Sequence, residues 1–211
     1  MLQKQTIGKG TLGLLKKLMK EPELNQFVLV GGTALALQIG HRKSIDLDFF
    51  SKEKFDQNLI NDFLVEKYNF QTTNINNAIL NGFIGDIKID FVPHQYKYVS
   101  PPLVKNSIRL SSLEDISAMK LNAIVRSGQR LKDFVDIAYL SSIFTLNQML
   151  DFYVIKYPNS NKIIAVKALG YFDDINHEEK IDMINKNCYN WETIKNAILF
   201  IINSPDNLYK I

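Results

Sequence analysis

The residues from Phe27 to Phe50 restrict the fold more than any other part of the chain. Phe27-Val28-Leu29-Val30 is an apolar run of strand length, rich in the valine that strands favour. Gly31-Gly32-Thr33 then makes a tight turn into Ala34-Leu35-Ala36-Leu37, which reads as a short helix. After the basic-polar turn His41-Arg42-Lys43-Ser44, a second apolar run, Ile45 to Phe50, carries Asp46 and Asp48. On a strand this spacing sets both carboxylates on one face and Ile45, Leu47 and Phe49 on the other. The order strand, turn, helix, strand points to a mixed α/β core.

The same residues carry chemistry. A glycine turn at a helix N-terminus offers backbone N–H groups and the positive end of the helix dipole to phosphates. Paired carboxylates offer hard oxygen ligands to Mg²⁺, which commonly binds through one or two carboxylates and substrate phosphates. An Asp-x-Asp or a Gly-Gly taken alone says little, because both arise by chance. The ordered set suits a metal–nucleoside triphosphate.

Elsewhere the chain alternates helical and extended patterns. Leu14, Leu15 and Leu18 give Thr11 to Lys20 a helical stripe that stops before Pro22. Ser51 reads as the N-cap of a helix reaching Tyr68, with Phe55, Leu59, Phe63 and Leu64 on its packed face. Phe70 to Ile75 reads as a strand, and Ala78 to Ile84 with Ile87 to Val92 as an antiparallel pair around Gly85-Asp86. Asn81-Gly82 competes as the turn. Alternation in the second of these strands puts Lys88, Asp90 and Val92 on one face. Asp90 is either a solvated strand aspartate or, if its strand neighbours the Asp46/Asp48 strand, a third carboxylate. Three carboxylates can bridge two Mg²⁺ ions and clamp the oxygens of a phosphoryl displacement. Pro93 to Asn106 reads as an extended connector, whose Tyr96 and Tyr98 either pack or stack on a base.

From Ser111 onward the pattern is helical, which divides the chain into an α/β part over 1–110 and a helical part over 111–211. Ser111 and Glu114 form a capping box for a helix to Arg126. Lys120 sits within that helix's apolar stripe, and either snorkels to solvent or points at an anion such as a triphosphate. Asp133 caps or charge-complements a helix reaching Phe144, with Asp136 pairing with Arg130 or Lys132. Thr145 caps Leu146 to Lys156; helices over Lys162 to Phe172 and Trp191 to Ile202, the latter capped by Asn190, follow. Asp173-Asp174 and Glu178-Glu179 read as solvated charges, and His94 and His177 lack metal-ligand spacing.

Composition excludes more than it selects. Hydrophobic residues at 46% and charged residues at 22% are those of an ordinary globular protein. A net charge of +3 is too small to argue for nucleic acid without clustering. The single cysteine, Cys188, forbids an internal disulfide, fits a reducing compartment and reads as an inert thiol. With no secretory signal and no membrane-length apolar run, a soluble cytoplasmic protein is expected.

Gly31-Gly32-Thr33-Ala34-Leu35, His41-Arg42-Lys43-Ser44 and Asp46-Leu47-Asp48-Phe49-Phe50 resemble the AbiEii/AbiGii-type toxin nucleotidyltransferases, a branch of the DNA polymerase β-like nucleotidyltransferase superfamily. Lys132-Asp133-Phe134-Val135-Asp136-Ile137 is similar to the family's fourth motif. The resemblance covers Phe27 to about Leu140. It implies a nucleotidyltransferase-type mixed sheet flanked by helices, followed by a C-terminal helical part. It also implies transfer of a nucleoside monophosphate from a nucleoside triphosphate, with Mg²⁺ (two ions) as cofactor. By that likeness Asp46, Asp48 and Asp90 hold metal, and Asp90 orients or deprotonates the attacking hydroxyl. Gly31, Gly32 and Thr33 cradle the phosphates, Arg42, Ser44 and Lys120 offset charge, and Asp133 matters for activity. The implied partners are a tRNA or protein acceptor and a cognate antitoxin in a bacterial toxin–antitoxin or phage-abortive system. The rival expectation is an idle site in a retained fold that works by binding a protein or RNA. Against it, unused carboxylates packed together repel one another. A metal-dependent phosphohydrolase shares the ligands, but it usually recruits histidines and here has only His41.

Overall fold

Seven strands form one mixed sheet in the computed structural model, which describes residues 1–76, 79–185 and 190–211. Their spatial order is β3-β4-β5-β2-β1-β7-β6. The strands are β1 (Phe27–Leu29), β2 (Leu47–Ser51), β3 (Gln71–Asn76), β4 (Ile79–Ile84), β5 (Ile87–Pro93), β6 (Leu103–Lys105) and β7 (Ile108–Leu110). The first unit, residues 1–97 and 101–111, holds this sheet with helices α1 (Lys9–Leu18), α2 (Gly31–Ile39) and α3 (Gln57–Tyr68). The second, residues 98–100 and 112–211, holds α4 (Leu113–Arg126), α5 (Leu131–Leu140), α6 (Leu146–Lys156), α7 (Lys162–Leu169) and α8 (Trp191–Asn203). Among the described residues no helix is long and apolar enough to cross a membrane.

The centre of the sheet is apolar because its strands alternate. Leu47, Phe49, Ile89 and Phe91 are buried, while Asp48, Phe50, Asp90 and Val92 between them are only partly covered. Phe91 stacks on Phe49 at 5.1 Å between ring centres and meets Phe27 edge-on at 4.9 Å. Such contacts add specificity to the apolar burial. β2 runs antiparallel to β1 and parallel to β5.

Several elements differ from the sequence expectation. Ile45 is 63% exposed, because β2 begins only at Leu47. Ser51 ends β2 instead of capping α3; its hydroxyl donates to the Glu53 carbonyl at 2.7 Å and accepts the Glu53 N–H. Asp56 takes the capping role, accepting from the N–H groups of Asn58 and Leu59 at 2.9 and 3.1 Å. Starting there, α3 buries Ile60 and Leu64 and leaves Leu59 at the surface. The β4–β5 turn lies at Gly85, with φ +58°, not at Asn81-Gly82. Gly82 sits inside β4, where a Cβ would come within 2.4 Å of the Gln71 carbonyl oxygen and of Phe70. The expected start of that strand at Ala78 lies outside the described residues.

The Pro93–Asn106 stretch is not wholly a connector. Its end forms β6, which pairs with β7 around Asn106 and Ser107, both at positive φ (54° and 63°). Two successive positive φ values mark the tight hairpin turn that usually announces itself by Asn-Gly. Here the second position is serine, so the hairpin carries no glycine signal.

In the second unit Ser112, not Ser111, caps α4: its Oγ accepts from the Asp115 N–H at 3.1 Å. Asp115 is fully buried and makes an ion pair with buried Lys156. It also accepts the backbone N–H groups of Val99 and Ser100 at 2.9 and 3.3 Å, which seats that strap on the helices. Thr145 and Gln148 form a complete capping box on α6. α5 stops at Leu140 and α7 at Leu169, short of Phe144 and Phe172. Cys188 lies outside the described residues.

Candidate active site

The strand–turn–helix beginning at β1 places Gly31 at φ +66°, in left-handed backbone that glycine adopts without cost. A Cβ there would lie 2.6 Å from Asp48 Oδ2, so the turn passes directly against that carboxylate. The Val30 N–H donates to the Asp48 carbonyl at 2.9 Å and holds the two segments together. Gly32 approaches the next loop equally closely: its Cβ would meet Arg42 Nη2 at 2.4 Å and Ser44 Oγ at 3.3 Å. Thr33 is buried, shares a 2.8 Å hydrogen bond with Ser44 Oγ and donates to the Asp46 carbonyl.

The N-terminal segment braces this loop. The Ser44 N–H donates to the Thr6 carbonyl at 2.9 Å, and the Gln3 N–H to the Leu37 carbonyl at 2.8 Å. Arg42 is 2% exposed and sits beneath the turn.

Register decides where the acids lie. Asp48 on β2 is the direct partner of Asp90 on the neighbouring parallel strand β5. Asp46 precedes β2 and is exposed, so it stands at the strand's entrance. Asp90 accepts from Asn81 Nδ2 at 2.7 Å and from Lys88 Nζ at 2.8 Å. Its hydrogen bond to Lys88, opposed by partial burial, holds the lysine above its ordinary pKa, with Asp48 and Asp46 adding weaker attraction. Among the described residues no group of three or more His, Cys, Asp or Glu side chains is drawn together to hold a metal ion. Gly31, Gly32, Thr33, Arg42, Ser44, Asp46, Asp48 and Asp90 all belong to the first unit.

Lys120 and Asp133 belong to the second unit, and they meet each other. Lys120 Nζ lies 2.6 Å from Asp133 Oδ1 and 2.7 Å from Asp136 Oδ2, with all three side chains at 8% exposure or less. The lysine does not snorkel, and Asp136 pairs with it in place of Arg130 or Lys132. Arg130 stays 3.9 Å from Asp133, while Lys132 pairs with Glu179 at 3.1 Å. Glu179 is therefore engaged, not simply solvated. Burial pushes its carboxyl up, but the backbone and side-chain hydrogen bonds from Lys132, with the charges of Lys132 and Arg130, together hold it below the usual range. His94 stacks on Phe50 at 4.8 Å, and His177 meets Trp191 edge-on. Tyr98 lies under Lys156 Nζ, 5.6 Å from its ring centre.

A family model described as nucleotidyl transferase AbiEii toxin, type IV TA system, matches residues 13–187. The chain belongs to the AbiEii nucleotidyltransferase toxin family. An uncharacterized protein of Aquifex aeolicus (strain VF5) is 32% identical over 174 residues, covering 78% of this chain and 82% of that one. JHP933 from Helicobacter pylori shares the fold, with a TM-score of 0.55, 17% identity and coverage of 95% of this chain and 93% of that one. A second H. pylori protein gives 0.50 and 18%, with 97% of this chain and 100% of that one covered.

In this AbiEii-family nucleotidyltransferase, three contacts of the candidate residues were not read from the sequence: Lys88 and Asn81 with Asp90, and Asp136 with Lys120. Lys88 was visible only as a face-mate of Asp90. Asn81 was masked by its resemblance to a turn. Asp136 was signalled by its i,i+3 spacing from Asp133, which sets both on one helix face. The close contact at Gly31 yields a prediction. Gly31→Ala is expected to cost about 1–2 kcal/mol from left-handed strain and to push the Asp48 carboxylate aside. Urea unfolding measures the first effect, and a crystal structure of the variant the second.

Proposed function

We propose that the first unit transfers a nucleoside monophosphate from a nucleoside triphosphate to a hydroxyl of a tRNA or protein acceptor. We also propose that the protein acts as the toxin of a type IV abortive system, restrained by a cognate antitoxin. The observation that carries the chemical reading is the pairing of Asp48 with Asp90 in register, against the glycine turn at Gly31.

The donor set fits Mg²⁺ arriving with the nucleotide better than a metal caged by protein alone. Mg²⁺ takes one or two carboxylates and completes its shell with phosphates and water, which the neighbouring Asp48 and Asp90 suit. Asp46 and Asp48 would hold the ion, with Asp90 beside them. Bound there, it would neutralise charge on the phosphate oxygens. Gly31 and Gly32 bring the start of α2 close against Asp48 and Arg42, where its backbone N–H groups would meet the phosphates. Thr33 and Ser44 fix the loop through their mutual hydrogen bond. The acceptor oxygen attacks the α-phosphorus, its proton passes to Asp90, and the α–β bridging bond breaks to release pyrophosphate. Such transfer depends on positioning and electrostatics, not on a covalent nucleophile.

Incubating the purified protein with each α-labelled triphosphate, Mg²⁺ and total cell extract tests the proposal. Label is expected in one macromolecular fraction and to disappear with Asp48→Ala. Label absent with all four nucleotides would refute it.

A further inference from the structure

Lys88 is a charged group at Asp90 that the mechanism does not use. Lys88 lies two residues before Asp90 on β5, on the same strand face, and its ammonium contacts Asp90 Oδ2 at 2.8 Å. Asn81 holds the other Asp90 oxygen from β4, its direct cross-strand partner. Both oxygens of the third carboxylate are therefore occupied by side chains, although Asp48 stands next to it in register. Lys88 is also attracted to Asp48 and Asp46, so its charge lies within the field of all three acids. Side-chain exposure is 46% for Lys88 and 15% for Asp90, which leaves the lysine room to swing to solvent while the carboxylate stays in place.

We infer that Lys88 is an internal counter-cation that holds Asp90 until a divalent ion displaces it, and so sets the metal affinity of the Asp48–Asp90 pair. This inference rests on the reading that the acids take a divalent cation. Without metal, adjacent carboxylates repel, and a mobile ammonium relieves that repulsion. When a divalent cation arrives, the exchange removes one positive charge and adds two. Lys88 is therefore a positioning residue: it acts through Asp90 and keeps the pair weak for free metal.

Mn²⁺ binding to the full chain, followed by electron paramagnetic resonance of the free ion, tests this without any turnover. Lys88→Met keeps the stem and removes the charge; it is expected to tighten Mn²⁺ about two- to fivefold, the scale of a partly exposed ion pair. Lys88→Arg is expected to behave as wild type. In an Asp90→Asn background the Lys88→Met gain should vanish. Lys88→Gln, with a different stem, guards against a folding artefact and should match Lys88→Met. An unchanged or weakened affinity in Lys88→Met would overturn the inference, as would a gain that persists with Asp90→Asn, since that would be a general field effect. If Asp48→Ala weakens Mn²⁺ while Lys88→Met does nothing, the inference falls and the metal reading survives. If no variant binds Mn²⁺ at all, both fall.

Discussion

Asp48→Ala is expected to lower nucleotidyl transfer by roughly 10²–10³-fold, the scale set by removing one preorganised electrostatic group from an active site. Its loss of stability should be smaller than that of Lys120→Met, because Asp48 lies on the half-covered face of β2 and not among fully buried charges. The two expectations follow from one geometry. Asp48 projects from the half-covered face of β2 beside Asp90 and against Gly31, while the buried face of the same strand is carried by Leu47 and Phe49. Removing the carboxylate takes away a proposed metal ligand and a like-charge neighbour of Asp90, while Leu47 and Phe49 keep the buried face of β2 packed. Single-turnover transfer together with urea unfolding checks both halves. A fully active Asp48→Ala would show that the glycine turn and the acids do not work together.

Lys120→Met is expected to lower stability by about 3–5 kcal/mol, the usual result of removing one partner from a buried ion pair. Asp133 and Asp136 are 3% and 0% exposed, and one lysine faces both. Asp133 also lies in the first turn of α5, where the helix dipole favours a negative charge; Asp136 lies one turn further on and gains less from it. Adding Asp136→Asn to Lys120→Met should therefore recover part of the loss. Urea unfolding of the single and double variants measures the coupling. An unchanged midpoint in Lys120→Met would mean that the lysine contributes no net stability to α4 and α5. Transfer assays on the rescued double variant then report the chemistry of Lys120 separately from its packing.

Much of the site could be read from residue order because its signals are local. A strand, a glycine turn and a helix need only neighbouring residues, and alternation at Leu47–Phe50 and Ile87–Val92 reports which side chains share a face. Period-2 alternation does not say which strands are neighbours. That Asp90 would meet Asp48 depended on β5 choosing β2, a pairing between segments about forty residues apart. Local signals also misled where a competing partner was better: Asp56 outbid Ser51 as a cap because Ser51 was already paired at the end of β2. The β6–β7 hairpin was missed because Asn106-Ser107 reaches positive φ without glycine.

The residue order alone determined the α/β character of the first unit, the tight glycine turn into a helix at Gly31-Gly32-Thr33 and the inward position of Lys120 on its helix. Only the tertiary structure decided what the charged groups do: Lys120 binds Asp133 and Asp136, and Lys88 occupies Asp90. The reason is physical. Backbone periodicity is written in near neighbours, whereas a charge leaving bulk water takes whichever opposite charge the folded chain brings within about 3 Å.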